Sequence, residues 1–156
     1  MVNNLRVVIA AAGSGSRMGG KINKQYMLLK SRPLLAYSLD VFEKMELVDE
    51  IVIVAQAREI EYCEREVVKR FSYQKVSRVV AGGLERQDSI WAGLEKLNSN
   101  TDYVAVHDGA RPFVTSELIE EILKEAIRWG AAIPGVAVRD TLKQVERDNF
   151  VRQTLD

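Results

Sequence analysis

The chain has 156 residues, a length that predicts one domain able to bury a sizeable core of its own. Its 47% hydrophobic, 28% charged and 7% aromatic content is that of an ordinary soluble globular protein and excludes a disordered or fibrous one. With 22 basic and 22 acidic residues the formal charge is zero, which excludes the global positive field of a protein that coats nucleic acid or an anionic membrane.

The balance is uneven along the chain. From Met1 to Leu39 there are six basic residues, Arg6, Arg17, Lys21, Lys24, Lys30 and Arg32, and no acidic one, so a chain of zero formal charge is +6 and then −6. A carboxylate-free stretch of this length predicts a place where an anion docks.

In chain order, the apolar run Arg6 to Ala12 lacks period-two alternation and predicts a strand buried on both faces. After Pro33, Leu35, Leu39, Phe42 and Met45 recur at steps of three or four and predict a helix, with the proline suited to its first turn. Glu50 to Ala55 predicts a second strand. Ile60, Cys63, Val67 and Phe71 define a second helix, with acids early (Glu59, Glu61, Glu64) and bases late (Lys69, Arg70), as the helix dipole favours. Cys63 lies on its apolar stripe and reads as a buried, inert thiol. As the single cysteine it makes no intrachain disulfide, which points to a reducing cytoplasm. No apolar run has the length of a membrane span, and the N-terminus lacks a signal-peptide core.

Val76 to Ala81 predicts a third strand, and Ile90, Leu94 and Leu97 a third helix. Tyr103 to Val106 predicts a fourth strand. Leu118, Ile122, Ala126 and Trp129 define a fourth helix, opened by Thr115 or Ser116 and closed by Gly130. Ala131 to Val138 predicts a fifth strand. The alternation as a whole predicts an α/β fold with a parallel sheet covered by helices. Leu142 to Glu146 and Phe150 to Thr154, joined at Arg147, Asp148 and Asn149, predict a projecting β-hairpin, which needs a partner because an isolated two-stranded hairpin is marginal in water. The expected division is an α/β domain over 1–138 and a β-arm over 139–156.

In open α/β sheets ligands bind beyond the carboxyl ends of the strands. The first strand runs into Ala10-Ala11-Ala12-Gly13-Ser14-Gly15-Ser16-Arg17-Met18-Gly19-Gly20-Lys21, where small residues let backbone N–H groups approach an anion and glycines let the chain curl around it. Gly15 to Lys21 fits the spacing of a P-loop, but Ile22 stands where a magnesium-binding hydroxyl is required. A dinucleotide fingerprint fails at Met18 and finds no acid closing the second strand.

A third reading is a nucleotidyltransferase loop. Ala11-Ala12-Gly13-Ser14-Gly15-Ser16-Arg17-Met18 followed by Lys24-Gln25-Tyr26 resembles the signature of the 2-C-methyl-D-erythritol 4-phosphate cytidylyltransferase family. Three further segments agree in order and spacing: Gly82-Gly83-Leu84-Glu85-Arg86-Gln87-Asp88-Ser89, Val106-His107-Asp108-Gly109-Ala110-Arg111-Pro112, and Val138-Arg139-Asp140-Thr141-Leu142-Lys143. The resemblance implies a Rossmann-like three-layer sandwich of the nucleotidyltransferase type and transfer of a cytidylyl group from CTP to methylerythritol phosphate, with Mg²⁺ present and pyrophosphate released. It also implies a homodimer joined through the 139–156 arm.

By the same resemblance Arg17 and Lys24 are the catalytic cations. Ala11, Ala12, Gly13 and Gly15 cradle the triphosphate, while Gly82, Gly83 and Ser89 meet the nucleotide. Asp108, ending its strand, is expected to hold a ribose hydroxyl or Mg²⁺ and to reach the second substrate. Arg111 and Thr141 are implied as ligands of that substrate, Thr141 across the dimer interface. His107 reads as a structural histidine, because the attacking phosphate is already an anion and needs no base. Ala10 and Asn23 depart from the prolines the family often has. Family members also continue past this hairpin, which implies a truncated or partial member. Two alternatives stay open: a pentitol (ribitol) phosphate cytidylyltransferase sharing the loop, and a catalytically silent nucleotide-binding or dimerisation module.

Overall fold

The computed structural model describes residues 4–13 and 23–155 of the chain. They divide into two compact units, Met1–Glu121 and Ile122–Asp156.

The first unit is built on β1 (Leu5–Ala11), flanked on one side by β4 (Val48–Ala55) and on the other by β6 (Tyr103–Asp108), with β5 (Val76–Ala81) beyond β4. All pairings are parallel, giving the order β5-β4-β1-β6. The expected α/β architecture with a parallel sheet is therefore the one found. β1 and β4 supply the deepest core: Val7, Val8, Ile9 and Ile51 to Ala55 have no exposed surface. β5 and β6 depart from the expectation of strands buried on both faces. They are the outer strands of the four-stranded sheet, and Val104 and Val106 of β6 stand exposed.

A two-residue ribbon, β2 (Leu28–Leu29) and β3 (Arg32–Pro33), turns through Lys30 and Ser31, both at left-handed φ, as primed hairpin turns require. It leads into α1 (Leu34–Lys44), whose Leu35, Leu39 and Phe42 form the expected buried stripe, with Pro33 standing just before the first turn. The second helix is regular only over α2 (Ile60–Cys63) and then widens to a π-helical stretch, Glu64–Lys69, in which the Arg70 N–H reaches back to the Arg65 carbonyl. Cys63 and Val67 nevertheless remain fully buried.

Helix α3 (Arg86–Leu94) lies on β1 and β4. Its Gly93 sets how closely it can approach, because a Cβ there would come within 2.5 Å of Val8 Cγ1 and 2.8 Å of Val54 Cγ2. Helix α4 (Ser116–Trp129) opens with Thr115, whose Oγ1 accepts the Leu118 N–H at 3.3 Å, and ends at Gly130, whose φ of +90° suits the left-handed stop. Thr115→Ala, by leaving that N–H without its cap, is expected to cost about 1 kcal/mol, read as a lower urea midpoint at unchanged slope.

In the second unit, β7 (Leu142–Val145) and β8 (Val151–Leu155) form the antiparallel hairpin that was expected, turning through Asn149 at left-handed φ. All the residues of both strands are exposed. The strand expected over Ala131 to Val138 is not formed. Pro134 has no N–H to give a ladder and Gly135 costs the most backbone entropy to extend, so this pair breaks the run of apolar residues around it. Among the described residues no helix is long and apolar enough to cross a membrane.

Candidate active site

The carboxyl ends of the four strands bring together Ala81, Ala55, Ala11 and Asp108. The exit of β1 is fixed by three successive carbonyls. Ala10 O accepts the Gly109 N–H at 2.9 Å, Ala11 O the Gln25 side-chain amide at 2.5 Å, and Ala12 O the Gln56 amide at 3.1 Å. These bonds fix the peptide planes from which the chain enters the small-residue loop. Gly13 is exposed, and a Cβ built on it would meet nothing within 4 Å among the described residues.

The same contacts hold Lys24. It begins a single 3₁₀ turn, Lys24–Tyr26, whose neighbours are buried: Asn23 donates to the Glu59 carboxylate, Gln25 is tied to Ala11, and Tyr26 meets Tyr62 edge-on at 5.1 Å. Burial, with Cys63 beside it, pushes the Tyr26 phenol well above its usual pKa, so it stays a neutral wedge. The backbone at Lys24 is thereby anchored while its own side chain stands in solvent.

Across the sheet, Gly82 and Gly83 are positions where a side chain has no room. A Cβ on Gly82 would lie 2.6 Å from both Ala12 Cβ and Ser89 Oγ, and one on Gly83 would lie 2.3 Å from Asp88 Cβ. Ser89 is buried one turn into α3, and its hydroxyl donates to the Glu85 carbonyl at 3.1 Å, which leaves its oxygen lone pairs to accept. The helix start is held by Asp88, whose carboxylate accepts the Glu85 N–H at 3.0 Å.

Asp108 is the most heavily engaged group. Arg86 Nη2 lies 2.8 Å from its Oδ1 and Arg111 Nε 2.9 Å from its Oδ2. Burial works to raise its pKa, but the hydrogen bond and charge of Arg86 and the charge of Arg111 outweigh it and hold the carboxyl below its ordinary value. Beneath, the Arg111 carbonyl accepts from Ser38 Oγ at 3.1 Å and faces His107 Nε2 at 3.2 Å. A carbonyl only accepts, so Nε2 carries the ring proton. Burial holds His107 below its usual pKa, which favours the neutral imidazole.

Among the described residues no group of three or more His, Cys, Asp or Glu side chains converges as a metal site. Each oxygen of the candidate metal ligand Asp108 carries a guanidinium group, whose positive charge opposes a cation there, and among the described residues it joins no such group, so this donor set does not fit an ion held by the chain. Ala11, Ala12, Gly13, Lys24, Gly82, Gly83, Ser89, Asp108 and Arg111 thus all belong to the first unit, at or just beyond the strands' carboxyl ends. Arg17 and Gly15 lie outside the described residues. Thr141 belongs to the second unit, exposed, one residue before β7. Sequence reasoning did not single out Gln25, Gln56 or Arg86 as contributors, because their partners stand 14, 44 and 22 residues away and no local period announces such pairs.

A family model described as 2-C-methyl-D-erythritol 4-phosphate cytidylyltransferase matches residues 5–156. A protein of that name from Alkaliphilus metalliredigens is 43% identical over 154 residues, covering 99% of this chain and 64% of the relative. Another from Clostridium kluyveri is 46% identical over 148 residues, covering 95% and 64%. Among solved structures, the 4-diphosphocytidyl-2C-methyl-D-erythritol synthase of Anaerococcus prevotii superposes with a TM-score of 0.78 at 26% identity, covering 99% of this chain and 64% of that one. The chain therefore spans somewhat under two thirds of the length of these relatives.

Proposed function

The chain belongs to the 2-C-methyl-D-erythritol 4-phosphate cytidylyltransferase family, and from that premise we propose that it takes part in transferring a cytidylyl group from CTP to 2-C-methyl-D-erythritol 4-phosphate, a step in making isoprenoid precursors. The observation that carries the reading is the anchored turn at Lys24. A solvent-facing lysine is held by buried neighbours directly beside the tethered exit of β1, where an anion-binding loop begins.

In the proposed reaction an oxygen of the methylerythritol phosphate attacks the α-phosphorus of CTP. A new P–O bond forms, the bond from the α-phosphorus to its bridging oxygen breaks, and pyrophosphate leaves. The nucleophile is already an anion, so no general base is required, and His107 takes no proton. Negative charge grows on the equatorial and leaving oxygens, and catalysis is positioning plus cation placement. Lys24 and Arg17 supply those cations. The backbone around Ala11, Ala12, Gly13 and Gly15 receives the triphosphate, and Gly82 and Gly83 let bare backbone reach the base. Ser89 Oγ accepts from the nucleotide, Asp108 takes a ribose hydroxyl, and Arg111 and Thr141 bind the sugar phosphate. Mg²⁺ would be held by the substrate's phosphate oxygens and water rather than by side chains of this chain, and would supply charge neutralisation there.

The hairpin supports dimer formation through the 139–156 arm, because its exposed Leu142, Val145, Phe150, Val151 and Leu155 leave a two-stranded unit without a core. A cytoplasmic location, with neither membrane nor nucleic acid as partner, belongs to the same reading and is supported by the single, buried, unpaired Cys63.

The test is pyrophosphate release from CTP with methylerythritol phosphate or ribitol phosphate as acceptor. Release with the first is the expected result. Faster release with the second would reassign the chain to pentitol phosphates, and CTP binding without release from either would make it a silent nucleotide-binding module.

A further inference from the structure

Asp108 holds one guanidinium group on each of its oxygens, Arg86 on Oδ1 and Arg111 on Oδ2, and each oxygen keeps a further lone pair for a hydroxyl. Arg111 is fixed at four points: its N–H donates to the Asp108 carbonyl at 3.0 Å, its carbonyl is held by Ser38 and His107, and its Nε lies on Oδ2. Only the last of these involves its guanidinium, so among the described residues each arginine's guanidinium has Asp108 as its one partner, and the side chains are 76% exposed for Arg111 and 62% for Arg86. Arg86 opens α3 just after the end of β5, whereas Asp108 ends β6, and these are the two outer strands of the sheet. The pair therefore ties the start of α3 to the end of β6. An exposed ion pair of this kind adds little to stability. It is a weak structural bond made by a strong anion ligand, on the carboxylate that ends β6.

We infer that Arg86 is a further substrate-binding residue, a cation parked on Asp108 that leaves it for a phosphate group of the substrate when the substrate binds. The inference rests on the proposed function and deepens it. A guanidinium released from one carboxylate oxygen loses a charge-assisted bond and regains one of the same kind on phosphate. The exchange is therefore nearly balanced, and ligand binding decides it.

Calorimetric titration with CTP, cytidine and methylerythritol phosphate, on the wild-type chain and on Arg86→Ala and Arg86→Lys, tests this without needing turnover. CTP or the sugar phosphate should bind about 10- to 100-fold more weakly to Arg86→Ala, the scale of a lost charged hydrogen bond. Whichever of the two is weakened identifies the phosphate Arg86 meets. Cytidine, which has no phosphate, should bind Arg86→Ala as it binds wild type, Arg86→Lys should recover part of the loss, and the melting temperature should not move. Equal weakening of CTP and cytidine would show a merely structural residue and overturn the inference, as would undiminished binding of both phosphates. A wild-type chain that binds no CTP would overturn the proposed function and this inference together, whereas wild-type binding with an indifferent Arg86→Ala overturns the inference alone.

Discussion

Lys24→Ala is expected to lower turnover of CTP with methylerythritol phosphate by ~10²- to 10³-fold, because a preorganised donor aimed at developing charge is worth about 3 to 4 kcal/mol in a transition state. The structure makes this substitution unusually clean. Lys24 is exposed, while Asn23, Gln25 and Tyr26 on either side are buried and hold the turn whatever occupies the position between them. Stability should therefore be unchanged, and the loss should fall on kcat more than on KM, since charge at the α-phosphorus grows only as the new bond forms. Lys24→Arg keeps the charge but moves it outward on a planar group, so a partial loss is expected. Turnover of Lys24→Ala within threefold of wild type, measured by pyrophosphate release, would falsify the catalytic assignment.

How much of this arrangement is readable in the sequence depends on whether its cause is local. β1 and β4 are legible because strands covered on both faces must be apolar at nearly every position. The helix after Pro33 and the fourth helix are legible because their stripes have the helical period and their ends carry proline, Thr115 and Gly130. The hairpin is legible from its turn residues. The sheet's outer strands read the same as its inner ones, because Val76 to Ala81 and Tyr103 to Val106 carry the valines and alanines of a covered strand, and cover is a property of neighbours rather than of the run itself. Ala131 to Val138 misleads for the same reason in reverse: apolar content suggests a strand, but Pro134-Gly135 at its centre decides against one. The exit of β1 and Asp108 are legible as a candidate site because ligands of open α/β sheets bind beyond the carboxyl ends of the strands. The bonds that aim the site are not, since Gln25 to Ala11, Gln56 to Ala12 and Arg86 to Asp108 join segments that only the parallel topology brings together.

That dependence on close approach makes Gly82 the position where the smallest change should do the most harm. A Cβ at Gly82 would stand 2.6 Å from Ala12 Cβ and 2.6 Å from Ser89 Oγ, and 3.2 Å from Val54 Cγ1. None of these neighbours can turn aside cheaply. Ala12 has no rotatable side-chain atom, Ser89 is buried in α3 with its hydroxyl committed to Glu85, and Val54 lies in the central sheet with no exposed surface. Gly82→Ala must therefore move backbone, separating the exit of β1 from the start of α3, the two segments proposed to hold the nucleotide. Overpacking of this kind is expected to cost about 1 to 3 kcal/mol of stability, and a displacement of about 1 Å at a reacting centre costs on the order of 10²-fold in rate. CTP affinity of the folded Gly82→Ala protein should fall steeply, while Gly13→Ala, whose Cβ meets nothing within 4 Å among the described residues, should leave the melting temperature unchanged. If Gly82→Ala melts and binds CTP like wild type, the crevice does not depend on this approach, and the nucleotide must lie elsewhere on the strand ends.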